Sequence, residues 1–262
     1  MRSPIIMTVR NTFSMPQTPP AARPTFLRRL GAALLLVLLG SQSAWAGIFS
    51  VTPVRVYMTP RDRAVAITLK NEGDAPIVLQ ADIYSWAQRK DGADNLVLTD
   101  DLLLAPPIIR LAPGARQVVR LAMLRPRDPS MQMTYRMVLR EVPEAAPPSN
   151  RIAVPVALAL NMPVFITPPG AKRDVHCEIN SDDDRSVTLL CKNGGTAYAQ
   201  IREATVKRDG KELARFEGGT YILPGAGKFL KLKADGRAAA GNATITLMFD
   251  DFQGQTSVSY MP

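Results

Sequence analysis

Arg151-Ile152-Ala153-Val154-Pro155-Val156-Ala157-Leu158-Ala159-Leu160-Asn161-Met162-Pro163-Val164-Phe165-Ile166 is the stretch on which the fold turns. Its even positions are Ile152, Val154, Val156, Leu158, Leu160, Met162, Val164 and Ile166, all large and apolar. Its odd positions are mostly small residues or proline. A strand alternates its side chains between two faces, so the even set forms one unbroken apolar row. Pro155 and Pro163 cannot donate to a ladder, which points to an edge strand. A central strand buried on one face is the plainer reading of such alternation, and the two prolines weigh against it. An apolar edge left bare is an aggregation hazard. An edge with free backbone groups and an apolar row can instead pair with a partner's strand.

The same period of two runs outward in both directions. Phe49 to Met58, Arg63 to Lys70, Pro76 to Trp86, Gln117 to Met123 and Tyr135 to Val142 precede the stretch. Val175 to Ile179, Ser186 to Lys192, Ala197 to Arg208, Lys228 to Leu232, Ala243 to Phe249 and Thr256 to Tyr260 follow it. Short strands at this spacing, separated by turn signals, predict antiparallel sandwiches. Thr167-Pro168-Pro169-Gly170-Ala171-Lys172 reads as a stiff linker between two of them. Leu69-Lys70-Asn71-Glu72-Gly73-Asp74-Ala75 is echoed by Cys191-Lys192-Asn193-Gly194-Gly195-Thr196-Ala197, each an Asn-x-Gly turn leaving a strand. The echo supports two domains of like architecture. Lys90 to Asn95 superficially resembles a calcium loop, but the ligand spacing fails.

Residues 1–46 read as an address. Arg28-Arg29 precede an apolar run from Leu30 to Leu39, and Ala44-Trp45-Ala46 supplies a small-residue cleavage site. The run is too short for a membrane-spanning helix, which needs about 20 residues. The expected organisation is a signal peptide over 1–46, one sandwich over 47–167 and a second over 168–262. The leader also explains the charge. The net charge is +9, and the five arginines of residues 1–46, which include no acid, account for five of it. The basic balance therefore gives no reason to expect nucleic acid as a partner. Export places Cys177 and Cys191, the two cysteines of the chain, in an oxidising compartment. One disulfide is expected, stapling a hairpin or neighbouring strands. A metal or redox pair is the alternative, and the spacing is wrong for C-x-x-C.

Pro106 to Gly114 with Gln117-Val118-Val119-Arg120, followed by Tyr135-Arg136-Met137-Val138-Leu139-Arg140-Glu141-Val142-Pro143, resembles the middle of the periplasmic pilus-assembly chaperones. Trp86, the Asp91-Gly92 loop and Thr99-Asp100-Asp101-Leu102 resemble the archaic branch of that family. The resemblance covers most of residues 49–168 and is faint beyond them. It implies an all-β chain of two immunoglobulin-like sandwiches set at an angle, with a cleft between them. It implies a chaperone that lends the last strand of its first domain to an incomplete pilus subunit and delivers that subunit to an outer-membrane usher. By position, Val154, Val156 and Leu158 would be the donated side chains, flanked by Ile152 and Leu160. The family holds the subunit's terminal carboxylate with two basic residues. The first matches Arg55. The second falls at Pro163, which carries no charge, so Arg136 is the expected substitute and Arg120 a weaker one.

No cofactor, metal or small-molecule substrate is called for. A phosphate-binding G-x-x-x-x-G-K-[ST] loop does not occur. His176 is the only histidine, which argues against a Ser-His-Asp hydrolase. The expected role is therefore not enzymatic. A two-sandwich adhesin or structural pilus component is the alternative. Such subunits present an N-terminal extension of alternating apolar residues, whereas Gly47-Ile48-Phe49 runs almost directly into the first strand. Pairing of a free edge with a second copy, a self-capping homodimer, is left open.

Overall fold

Alternation of period two leaves little room for helix, and every regular element among the described residues is a β-strand. The computed structural model describes residues 49–124, 130–142, 157–183, 186–208, 210–234, 241–250 and 253–260. The leader expected over 1–46 lies outside them, as do Ile152, Val154 and Val156.

Among the described residues the first sandwich has ten strands: β1 (Phe49–Thr52), β2 (Val56–Met58), β3 (Ala64–Asn71), β4 (Ile77–Gln88), β5 (Asp94–Leu98), β6 (Leu102–Ala105), β7 (Ile108–Leu111), β8 (Arg116–Met123), β9 (Met133–Glu141) and β10 (Ala159–Ile166). One sheet runs β1-β3-β8-β6. The other runs β2-β10-β9-β4-β5, with β7 also pairing β4. Their inward residues, among them Ile67, Leu69, Leu79, Leu104, Leu121, Met137, Leu139, Val164 and Ile166, close one core. The alternating run from Phe49 to Met58 is two strands rather than one. Pro53-Val54-Arg55 carry the chain from β1 in one sheet to β2 in the other.

The expected edge strand is an edge over only part of its length. β10 pairs antiparallel with β9 from Ala159 to Ile166, while β2 lies parallel along its outer side only at Val164 to Ile166. Residues 159–163 therefore have no neighbour on that side among the described strands. The Leu158 carbonyl accepts from the Glu141 N–H, and the Thr167 N–H donates to the Met58 carbonyl. Strand alternation then aims the backbone groups of Ala159 and Asn161 outward, away from β9. The N–H that Pro163 lacks would have pointed the same way, so the proline removes no bond to β9. The apolar row also differs from expectation at its far end. Met162, Val164 and Ile166 are buried in the sandwich's own core, whereas Leu158 and Leu160 sit half-buried at its rim.

The second sandwich is one seven-stranded sheet folded on itself. Its strands are β11 (Val175–Asp183), β12 (Ser186–Asn193), β13 (Ala199–Arg208), β14 (Lys211–Ile222), β15 (Gly227–Ala234), β16 (Gly241–Phe249) and β17 (Gln253–Tyr260), in the order β11-β12-β15-β14-β13-β16-β17. The β14–β15 pairing is short, confined to Ala214 and Arg215 opposite Ala234 and Lys233. The sheet turns over there and brings β11 near β17. Val187, Leu189, Ile201, Val206, Leu230, Leu232, Ile245 and Leu247 fill the interior.

Cys177 and Cys191 stand directly opposite one another on β11 and β12 and form a disulfide. Both are buried, so the bond staples neighbouring strands from inside. Closing a loop of this length stabilises by roughly 3 kcal/mol in the chain-entropy model. Reduction is expected to add two hydrogens to the intact mass and to lower the unfolding midpoint. Free thiols in protein purified without reductant would contradict the bond.

The Asn-x-Gly echo has a physical basis. Asn71 and Asn193 are buried, at 0% and 1% exposure. The Asn71 amide donates to the carbonyls of Ala75, Leu111 and Ala112, and its oxygen accepts from the Gly73 N–H. Asn193 repeats the pattern with Ala197, Ile222 and Gly195. Each asparagine thus ties a strand exit to the opposite layer. Asn71→Leu and Asn193→Leu would deprive the Leu111 and Ile222 carbonyls of a buried donor, at about 1–3 kcal/mol for each group left unpaired. Chemical denaturation should show lowered midpoints for both variants. An unchanged midpoint would mean that the tie contributes nothing.

Candidate functional site

Residues 47–262 form one compact unit, and its two sandwiches meet across an aromatic seam. Trp86 from β4 and Phe165 from β10 pack with Tyr198 and Leu223 of the second sandwich. The Phe165 and Tyr198 rings stack with centroids 4.0 Å apart. Phe165 occupies an odd position of β10, so this face of the strand is not merely small. It is the face turned toward the second sandwich.

Polar ties frame the seam. Gln132 donates to the Thr167 hydroxyl at 2.7 Å and accepts from the Tyr198 N–H at 2.9 Å. Gln88 donates to the Tyr221 carbonyl and accepts from the Leu223 N–H. The loop after β4 leans on β15. Gly92 has φ +78°, and a Cβ there would lie 2.9 Å from the Lys228 side chain and 3.1 Å from the Gly227 carbonyl. Only glycine fits that combination of conformation and clearance.

Arg55 enters the cleft from the segment that changes sheets. Its Nη1 donates to Asp250 Oδ2 at 2.7 Å, to the Tyr57 hydroxyl at 3.0 Å and to the Tyr198 hydroxyl at 3.3 Å. Its Nη2 donates to Gln200 Oε1 at 2.7 Å. The Tyr57 and Tyr198 hydroxyls lie 2.7 Å apart, and that of Tyr198 also donates to Asp250. Burial opposes the Arg55 charge. The hydrogen bond to Tyr57 and the surrounding tyrosine oxygens nevertheless hold its pKa above the ordinary arginine range. Burial likewise pushes the Tyr198 and Tyr221 phenols up, so both act here as neutral hydroxyls.

Arg136 approaches from β9, where its register partner on β10 is Pro163. The guanidinium lies 3.6 Å over the Trp86 ring and 3.8 Å from Asp94. Its side chain is 13% exposed, and its buried Nε has no hydrogen-bond partner among the described residues. Burial pulls its pKa down, and Asp94 offsets this only in part. A guanidinium starts so high that it stays cationic.

The two arginines converge on one ring. Arg55 lies 5.8 Å and Arg136 5.4 Å from the Tyr221 centroid. Arg173, from the linker side, sits 3.7 Å from Asp250 Oδ1 and 5.1 Å from the Phe249 ring. Three arginines here face two carboxylates, Asp250 and Asp94. Guanidiniums gathered in a partly desolvated cleft favour an anion. Arg120 lies elsewhere, exposed on β8 opposite Ala66 and Ala105. Leu160 stands on β10 and Leu158 just before it, on the segment whose free edge ends at the cleft. Asp250, Arg173 and the tyrosines escape a reading of the sequence, because a charge at the end of a strand looks solvated until the partner domain is in place.

Residues 48–172 match the family described as pili and flagellar-assembly chaperone, PapD N-terminal domain. Solved structures with the same fold include a chain of the CsuC-CsuE chaperone–tip adhesion subunit pre-assembly complex from archaic chaperone-usher Csu pili of Acinetobacter baumannii. It is 17% identical with a TM-score of 0.61, over 82% of this chain and 100% of that one. The YadV chaperone is 16% identical with a TM-score of 0.59, over 81% and 100%. The E. coli chaperone DraB is 18% identical with a TM-score of 0.52, over 81% and 98%. No curated protein matches the sequence. The first domain, residues 48–172, thus matches the N-terminal domain of the pilus-assembly chaperones.

Proposed function

We propose that this protein is a periplasmic chaperone that caps an incomplete pilus subunit with the edge of β10 and passes it to an outer-membrane usher. In this reading residues 1–46 are a cleaved leader, 47–167 the subunit-binding domain and 168–262 its second sandwich. The observation that carries the reading is where the free edge stops. It ends at Pro163, which faces Arg136 in register, and the next residue, Val164, pairs with Val56 beside Arg55. A guest strand laid along residues 159–163 with its C-terminus at the cleft delivers its carboxylate to both arginines. That polarity makes the guest parallel to β10. Charge-assisted bonds from two guanidiniums suit a carboxylate leaving water.

The test is co-expression with a secreted pilus subunit and recovery of a one-to-one complex. A subunit bearing a short C-terminal extension, which displaces its carboxylate, should not be recovered. Equal recovery of the extended subunit would refute the anchor. The backbone edge has its own test in Asn161→Pro. The outward N–H is lost, no bond to β9 is broken, and Pro163 already occupies the same parity. The free chaperone should therefore melt almost unchanged while capture weakens at least tenfold, since a hydrogen bond of about 0.5–1.5 kcal/mol goes and the ring crowds the guest strand. Full capture by the variant would remove the edge from the mechanism.

A further inference from the structure

The second sandwich has a free edge of its own. On one side β15 pairs with β12 from Gly227 to Lys233, and on the other β14 meets it only at Lys233 and Ala234. Just before the strand, the Asn193 N–H donates to the Ala226 carbonyl at 2.9 Å, and the Asn193 carbonyl accepts from the Gly225 N–H at 2.9 Å. Alternation from that point gives the bonds with β12 to Lys228, Leu230 and Leu232. The N–H and C=O groups of Gly227, Phe229 and Lys231 therefore point away from β12, where no described strand meets them. Cations and an aromatic ring line this edge. Leu230 and Leu232 face the core, so Phe229, Lys231 and Lys233 share the outer face. Phe229 is 46% exposed and stands opposite Leu190 on β12. At the start of the strand a recess of about 510 Å³ takes Phe229 and Leu190 together with Arg89, Lys90 and Lys192. At its far end a second recess, of about 520 Å³, is lined by Lys231, Lys233 and Phe216. The carboxylates nearby are engaged: Glu217 lies 2.7 Å from Arg215, Glu178 3.6 Å from Lys192 and Asp91 3.9 Å from Arg89.

We propose that the free edge of β15 takes up, as an added strand, an extended acidic segment of a partner protein, with carboxylates set toward Lys231 and Lys233 and an apolar residue against Phe229. Backbone groups without a neighbour call for another backbone, and the alternate side chains then read its sequence. The lysines decide which backbone. A second copy of β15 would bring lysine toward lysine, and like charges directly opposite destabilise a pair. An acidic strand meets opposite charge at the same positions. Residues 227–231 span roughly 13 Å, so about five residues of a partner fill the edge between the two recesses. The site lies on the second sandwich and rests on neither the β10 edge nor the carboxylate anchor.

The test uses residues 47–262, the compact unit, and a short labelled peptide of alternating valine and glutamate. Both ends are capped, so the peptide carries no terminal carboxylate for the cleft. A peptide of alternating valine and lysine is its counterpart. Saturable binding of the glutamate peptide is expected, weakening as salt is added. Lys231→Glu combined with Lys233→Glu should weaken it on the order of tenfold and strengthen binding of the lysine peptide by a similar factor. Phe229→Pro removes an outward N–H and no bond to β12, so it should weaken binding more than Phe229→Thr, which keeps the N–H. Asn161→Pro should change nothing, because Asn161 belongs to the other free edge. No binding of the glutamate peptide, equal affinity for the two peptides, or binding lost in Asn161→Pro overturns the proposal. So does unchanged binding by the charge-reversed variant, which decides alone should Phe229→Pro fail to fold.

Discussion

Arg55→Ala is expected to abolish subunit capture while leaving a folded chaperone. A guest carboxylate that has left water needs charged donors, and removing one member of a buried charge pair costs about 3–5 kcal/mol. At 1.4 kcal/mol per decade that weakens the complex by roughly 10²–10³-fold or more. The free protein loses less. The Arg55 and Asp250 side chains are 23% and 13% exposed, and Asp250 retains Arg173 nearby. Partial screening and the remaining partner therefore reduce the stability cost. The measurement is subunit recovered per chaperone, read beside the melting curve of each variant. Arg136→Ala should follow Arg55→Ala in capture, and it also removes the cation lying on Trp86. Arg120→Ala should behave as unsubstituted protein, since Arg120 is exposed on the far sheet. A folded Arg55→Ala that captures subunit normally would end the carboxylate mechanism for this protein.

The parts of this molecule that can be read in the sequence share one property: a single face is buried locally. β3, β8, β9 and β12 alternate because one side of each lies on a core that its own sandwich closes. β5 fails that condition. All five of its residues are exposed, so nothing imposes a period, and the stretch reads as loop. β14 fails it differently. Glu212, Arg215 and Glu217 pair with one another and with Glu203, and Gly218 interrupts the run, so charge rather than burial sets the pattern. Phe165 is buried only because the second sandwich supplies Tyr198 and Leu223, a fact of tertiary structure absent from its own strand. The site divides along the same line. Arg136 is visible as a cation in an apolar strand that must find a partner. Asp250 and Arg173 have no such context. Asp250 meets Arg55 only where the two sandwiches come together, and Arg173, at the start of the second, lies 3.7 Å from it.

Leu158→Asp separates a guest-binding rim from an ordinary core position. Leu158 is half-buried and packs on the edge of the first core, with its N–H 3.4 Å from Glu141 Oε2. On the proposed function a guest strand added beside β10 would extend the sheet, and the guest's open core would then be continuous with the rim formed by Leu158 and Leu160. In the free protein the substitution forfeits only part of a leucine's burial and sets a carboxylate beside Glu141. A cost of about 1–2 kcal/mol is expected, because full burial of such a side chain contributes about 1.5–3 kcal/mol. In the complex the same carboxylate lies in a dry seam, where an unpaired charge costs several kcal/mol more. Capture should therefore fall far more than stability does. Leu158→Ala calibrates the difference, since it removes area without adding charge and should lose capture only in proportion to the area lost. If the melting point of Leu158→Asp collapses and the remaining folded fraction captures subunit normally, Leu158 is a core residue and the guest does not touch it. If the variant is stable and capture is untouched, the apolar row is not the surface that the subunit meets.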